Sequence, residues 1–455
     1  MTYMLAKLEK FLFYLFLFFI PFQIRTVISW QGGEWGSKFL YLTDLLLVGV
    51  FILGAKEVYQ SYKTNKLKTN WLLVVFLLIA LISVFVSGDK TVSAYRWVKL
   101  LEFALLYVYI STQFKIQNSK FKISTVLSII VYSGIFQSIL AIAQFYKQGS
   151  LGLRFIEAGS YTPGEAGVAT FMSGAEKVMR PYGSFPHPNV LAAFLVLAIF
   201  CFFALWLKKM RPHGLIGLFG PIGLAIMIFA LFLTFSREAI MTFVFVGFAF
   251  FLIRFFQMRI FPHTEERLVA GKRMMILAAM FIVFSIISTL IVLPYFKTRF
   301  TTISMDEEAI NLRFFYDQMA IKMIAEKPLL GIGIGNFVNY SHHFPAFLRA
   351  ANKIANGGGE TAAEIPDWIY QPAHNIYLLI AAEIGILGAL VFIIFILIKL
   401  IKNIFPLKPK DVDSMINPLV FAFIAFLIIG LSDHFSWTLQ TGAMTFWLSM
   451  ALSNR

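Results

Sequence analysis

HNIYLLIAAEIGILG, residues 374–388, opens with an imidazole and an amide, runs nine residues that are apolar except for Glu383, and then sets Gly385 and Gly388 three apart. The apolar run continues to residue 398, enough helix to cross about 30 Å of hydrocarbon. Runs of similar length recur along all 455 residues. The chain is 59% hydrophobic and only 14% charged, whereas soluble domains are about half apolar and about a quarter charged. The stretch therefore reads as a membrane helix whose first residues lie at the water boundary.

Working outward from it, the hydropathy pattern predicts an all-α polytopic membrane protein of about twelve spans, at 8–24, 39–55, 71–87, 97–113, 123–146, 188–207, 214–235, 237–253, 274–294, 375–398, 416–433 and 436–454. Lys7 and Lys10 precede the apolar stretch Phe11 to Ile20 with no small-residue cleavage site after it, so it reads as the first span. Residues 1–455 form one integral membrane domain in this reading. The sole cysteine, Cys201, lies inside a span, so one chain holds neither a disulfide framework nor a Cys-based metal site.

The connections alternate in character. One set is short and basic: Lys56 to Lys68, Lys115 to Lys122, Lys208 to Arg211, Arg254 to Arg273 and Lys399 to Lys410. The other includes the long segments 147–187 and 295–374, where acids nearly balance bases. The basic set is cytoplasmic by the positive-inside rule, which puts both termini inside and both long loops on the outer, periplasmic face of a bacterial inner membrane. The net charge of +15 then reflects topology and anionic lipid rather than nucleic acid. Within the second loop, DEEAINLRFFYDQMAIKMIAEKP (306–328) reads as an amphipathic helix capped by Asp306 and stopped by Pro328, with Ile310, Phe314, Ile321 and Ile324 near one face. ANGGGETAAEIPDW (354–368) reads as a mobile segment, and GIGIGNF (331–337) as a turn rather than a phosphate loop, because no strand precedes it.

This topology gathers four charged features at one membrane level. RPYGSFPHPN (180–189) leads into the sixth span. TFSRE (234–238) is a tight turn that holds Arg237 near the hydrocarbon boundary, where ionisable groups are costly and usually functional; the plainer reading is a snorkelling arginine. Arg313 lies on the surface helix, with an i,i+4 ion pair to Asp317 as its plainer role. His374 follows Pro372 at a helix start, where the dipole favours a neutral imidazole. His187 before Pro188 reads as structural, and His342 and His343 as surface. Glu383 lies about 13 Å of rise beyond His374 on another face and bonds inside the bundle. Ala381, Gly385, Gly388 and Ala389 form a small-residue face for a close helix neighbour.

Taken together, His374-Asn375 with Gly385 and Gly388 resembles the His-Asn-x9-Gly-x-x-Gly signature of the O-antigen ligase/polymerase superfamily. Phe235-Ser236-Arg237 resembles its Ser-Arg turn, and Asn311 to Gly333 its arginine helix followed by Pro-Leu-Leu-Gly-x-Gly. Arg180 to Asn189 resembles its Arg-x-x-Gly-x-Phe-x-x-Pro-Asn segment. The resemblance covers residues 170–400; the first 150 match only as a row of spans. It implies a C-type glycosyltransferase fold, no metal or other cofactor, and a glycan donor carried on undecaprenyl pyrophosphate. The acceptor hydroxyl belongs to lipid A-core sugars, to another carrier-linked glycan, or to protein. Guanidinium groups stay charged and fork onto phosphate, so Arg237 and Arg313 are expected to bind the pyrophosphate, with Arg180 and Asn189 in the same cleft. His374 is expected to act as general base.

Two rivals remain open at this level. A metal-dependent polyprenyl-phosphate-sugar transferase commonly needs acids in its first outer loop, but residues 25–38 carry only Glu34. A glycan flippase often shows matching halves, and none are visible here.

Overall fold

The computed structural model describes residues 2–31, 33–64, 70–114, 120–165, 167–174, 176–208, 215–260, 265–300, 308–355, 369–404 and 415–454. Among them are sixteen helices and two small hairpins. The expected spans are occupied in order by α1 (Thr2–Phe19), α2 (Leu42–Lys63), α3 (Trp71–Val86), α4 (Lys90–Gln113), α5 (Ile123–Lys147), α6 (Pro188–Leu207), α7 (Leu215–Leu233), α8 (Arg237–Ile260) and α9 (Glu265–Phe300). After α10 (Glu308–Glu326), α11 (Phe337–Ser341) and α12 (Pro345–Ala355) come α13 (Ile376–Ile404), α14 (Pro418–Ile429), the short α15 (Phe435–Thr438) and α16 (Gln440–Ser453). Among the described residues, five helices, within α5, α6, α8, α9 and α13, are long and apolar enough to cross a membrane, and α3, α7 and α14 hold shorter apolar stretches.

The strands are the departure from an all-helical reading. Arg25–Ser29 (β1) pairs antiparallel with Lys38–Tyr41 (β2), and Thr170–Ser173 (β3) with Glu176–Met179 (β4). Each is a lone two-stranded ribbon, too small to stand by itself, and each lies in a connection rather than a span.

α6 is the axis of the bundle. It is apolar all round, and every residue from Pro188 to Leu205 is buried; such a helix belongs in a core, not at an edge. α5, α7, α14 and α16 pack around it. Several charged and polar residues inside the bundle are paired, which offsets the cost of burying them. Lys99 on α4 pairs with Asp44 on α2 and with Glu102, and Gln440 Nε2 donates to Asp44 Oδ1 at 2.5 Å.

At the opposite end of these helices, Lys120 bridges Glu9 and Glu57, Tyr109 donates to Glu9, and Gln113 donates to Glu57. The first half of α1, the ends of α2 and α4 and the approach to α5 thus meet at one end. The starts of α6, α8 and α13 meet the ends of α7 and α14 at the other.

α13 is not one uninterrupted helix. Gly385 (φ 80°, ψ 167°) breaks it, and the segment after α10 docks into the gap. Ile332 N–H donates to Ala382 O, Gly333 N–H to Glu383 O, and Ile386 N–H to Pro328 O, at 2.8–2.9 Å. A Cβ on Gly385 would lie 2.0 Å from Leu329 O. Gly385 therefore serves a backbone crossing rather than the helix–helix face read from the sequence. Gly388 does approach α3, at Ile79. GIGIGNF is a turn, as expected.

α10 falls where expected, although Asp306 and Glu307 lie outside the described residues. Its buried stripe is Tyr316, Met319, Ala320 and Met323, packed against α12 and α13. Phe314 and Ile321 are exposed. Of the two roles read for their face, lying along the membrane surface or packing on the bundle, the packing falls instead to polarizable methionines and a tyrosine on another face. Of the segment 354–368, residue 355 closes α12 and 356–368 lie outside the described residues.

Candidate functional site

The end of the bundle where α6, α8 and α13 begin encloses a cavity of about 600 Å³. Arg180, Asn189, Arg237, Arg313 and His374, five residues spread over nearly 200 positions, all line it. Each is placed by a local device. Asn375 caps α13 by accepting from Tyr377 N–H at 3.0 Å and Leu378 N–H at 3.2 Å, which fixes His374 just outside the helix. Arg237 is the first residue of α8. The turn before it puts Phe235 at φ 49°, a left-handed conformation unusual for a side chain of that size. The ring is nevertheless fully buried against Phe171, Phe145 and Tyr295, and that packing holds the turn.

The segment 180–189 is pinned from beneath by α5. Gln144 Oε1 accepts from the backbone N–H of Tyr182 and Gly183, and Gln137 Oε1 accepts from Ser184 N–H. Gly183 (φ 61°) has no room for a Cβ, which would meet Gln137 Oε1 at 2.7 Å. Arg180 Nε donates to Thr234 O at 2.7 Å and Arg180 Nη2 to Asn189 Oδ1 at 2.5 Å. Asn189 Nδ2 then donates to Asp433 Oδ2 at 2.7 Å. His187 caps α6, its Nδ1 accepting from Asn189 N–H at 3.2 Å, while its ring also lines the cavity. The structural reading of His187 holds, and a place in the cavity is added to it.

Arg313 pairs with Glu238, the second residue of α8, rather than with Asp317 as its plainer reading held. Asp317 Oδ1 is buried with no hydrogen-bond partner among the described residues. Burial lifts the Asp317 carboxyl to about 6 against the pull of Arg313.

Sequence reasoning missed Asp433 and His434. The expected spans leave only residues 434–435 between the last two helices, too little to draw notice. The signal was there: adjacent ionisable residues between two apolar stretches, at the same membrane level as the arginines. The His434 and His374 rings meet edge-to-face with centroids 4.7 Å apart. His434 Nδ1 lies 2.7 Å from Thr438 Oγ1. Tyr316 stacks on the other side of His374 at 5.7 Å.

The electrostatics follow from this packing. Burial, reinforced by His434 and Arg313 and opposed by Asp433, pushes His374 well below its usual 6.5. Burial lowers His434 as well; Asp433 opposes and Arg313 assists, leaving it at about 4. Burial and then Arg180 bring His187 to about 3. Burial works against ionising Asp433, yet His434, His374 and Arg313 hold it well below the usual carboxylate range. Near neutral pH the imidazoles are uncharged. The lasting support for that carboxylate is then Arg313 together with hydrogen bonds from Asn189 Nδ2 and from His434 N–H at 2.8 Å. His374 Nδ1 is buried and has no hydrogen-bond partner among the described residues. The site therefore combines cationic guanidinium groups with a neutral imidazole whose ring nitrogen is available, which suits an anionic ligand and a proton acceptor.

Residues 222–393 match the family model described as O-Antigen ligase. The match takes in Arg237, Arg313 and His374 and leaves Arg180, Asn189, Asp433 and His434 outside it. No curated protein matches the chain.

Proposed function

We propose, from the match of residues 222–393 to the O-Antigen ligase family model, that the chain is a member of the O-antigen ligase/polymerase superfamily and transfers a glycan from undecaprenyl pyrophosphate to an acceptor hydroxyl at the outer face of a twelve-span membrane bundle. The observation that carries this reading is one cavity shared by three arginines and an imidazole whose Nδ1 has no hydrogen-bond partner among the described residues. A lipid pyrophosphate is a compact polyanion at the membrane boundary. Arg237 and Arg313 grip it, with Arg180 and Asn189 bordering the same space. The acceptor hydroxyl gives its proton to His374 while its oxygen attacks the anomeric carbon. The carbon–oxygen bond to phosphate breaks, and the electron pair leaves on the pyrophosphate, where the guanidinium groups stabilise the developing charge. Attack from the face opposite the pyrophosphate inverts the anomeric centre. The acceptor is a lipid A-core sugar, a second carrier-linked glycan or a protein hydroxyl.

Purified protein in lipid nanodiscs, given undecaprenyl-pyrophosphate glycan and a sugar acceptor, should form the glycosidic product in excess chelator. Product that requires added divalent metal would overturn the mechanism. Translocation of lipid-linked glycan by the wild type and His374→Ala alike, without product, would support transport instead.

A further inference from the structure

A second, smaller cavity of about 60 Å³ adjoins the first, and the two share Glu34, Trp35 and Leu439 in their walls. The rings between them form a row. Trp35 meets His434 edge-on at 5.4 Å, His434 meets His374 at 4.7 Å, and His374 stacks on Tyr316 at 5.7 Å. Tyr316 is on α10 one turn from Arg313. The small cavity thus lies at the Trp35 end of the row and Arg313 at the other, with the candidate base between them.

The small cavity is walled by aromatic faces and by hydrogen-bonding groups, among them Phe39, Tyr95, Trp437, Ser436 and Arg96. Aromatic rings beside polar hydrogens are what a sugar and its substituents need. Arg96 is already used: its Nη1 donates to Thr438 O at 2.9 Å and its Nη2 to Trp35 O at 3.3 Å, so it fixes the walls. Trp437 Nε1 is likewise held, at 2.8 Å from Glu383 Oε2. Ser436 is different. It is 5% exposed, and its Oγ has no partner among the described residues. A buried hydroxyl without a partner loses free energy unless a ligand or water satisfies it. At roughly 10–15 Å³ per water, this cavity holds about four to six waters. That is too little for a sugar ring, but it suits a substituent of a few heavy atoms.

We infer that the small cavity is the acceptor subsite and takes the acetamido arm of an N-acetylated sugar, whose ring rests at Trp35 with a hydroxyl turned toward His374. The inference rests on the proposed transfer, because it assigns the pyrophosphate to the arginine end and the attacking sugar to the opposite end. The acetamido methyl meets the aromatic walls, and its carbonyl accepts from Ser436 Oγ–H. A hydroxymethyl arm would leave the aromatic walls uncovered.

Binding of methyl N-acetyl-glucosaminide and of methyl glucoside to the full chain in nanodiscs, followed by saturation-transfer NMR, tests this without turnover. The acetamido sugar should bind about tenfold more tightly than the glucoside. Trp35→Ala and Ser436→Ala should each remove most of that preference, Trp35→Tyr should keep it, and Arg237→Ala should leave it unchanged. Equal binding of the two sugars by the wild type, or a preference that survives both Ser436→Ala and Trp35→Ala, would overturn the subsite. Acetamido-selective binding with no product in the transfer assay would leave the subsite standing and bring down the proposed transfer alone.

Discussion

Arg313 Nη1 donates a hydrogen bond to Glu238 Oε1, tying α10 to the first turn of α8 across the cavity that both residues line. An anionic ligand that engages Arg313 must compete with this carboxylate. Glu238→Gln keeps the shape and removes the charge. It should lower the KM for the lipid-pyrophosphate donor by about threefold to tenfold, a discounted figure because both partners are partly exposed. Steady-state kinetics with varied donor checks it.

His374→Gln should reduce kcat by about 10²–10⁴-fold while donor KM stays within about twofold, as expected for loss of a general base. The pH profile carries a second signature. A base must be deprotonated to act, and burial, His434 and Arg313 keep His374 deprotonated well below pH 6.5. Turnover should therefore stay level as pH falls from about 8 through 6.5 toward 5, where an unperturbed imidazole would already have lost most of its activity.

Stability should respond in the opposite way. His187, His434 and His374 stay neutral in the folded protein below 6.5, at about 3, about 4 and well below 6.5. The unfolded chain takes up those protons as pH drops, so the unfolded state binds more protons and stability is lost as pH falls. Each group contributes up to about 1.4 kcal/mol per pH unit inside its own window. Thermal melting between pH 7 and 5 should show a falling Tm, with a shallower slope in His434→Gln.

Gly385→Ala should cost about 2–4 kcal/mol or abolish folding, since its φ of 80° is strained for any L side chain and the new Cβ would meet Leu329 O, a backbone atom that cannot swing aside. Gly388→Ala is the control. Its φ is not left-handed and its nearest neighbours are the side chains of Ile384 and Ile79 rather than backbone, so its loss in Tm should be smaller.

Asp433→Ala would leave Asn189 Nδ2 and His434 N–H without their acceptor. Stability should fall by about 1–3 kcal/mol. The pH at which turnover begins to decline should fall with it, because the carboxylate is the group that favours a protonated His374.

The apolar runs carried most of the fold because hydrocarbon permits so few solutions: a stretch of that length is a helix or it is not in the membrane. Arg237 and His374 were legible because a charge beside a span is conspicuous. Glu238 was in view within TFSRE but drew no separate reading, since a carboxylate there looks like a first-turn acid. Asp433 escaped because it closed an expected span, and His434 because it fell in a connection of two residues. The break at Gly385 escaped for a different reason. Its partner, Leu329, is more than fifty positions earlier, and a glycine chosen for backbone contact has the same letter as one chosen for helix packing.

The segment that docks into the gap in α13 also supplies Ile334, Gly335 and Phe337 to the wall of the small cavity, while α13 itself begins beside His374. Filling that cavity and seating the imidazole are thus tasks of one linkage, joined by the backbone hydrogen bonds that Ile332 and Gly333 donate to α13 and that Pro328 accepts from it. If the proposed transfer holds, both substrates should be bound together before the bonds exchange: reciprocal plots against donor at several acceptor concentrations should intersect, not run parallel. Release of free glycan to water should stay slow until the second sugar has arrived.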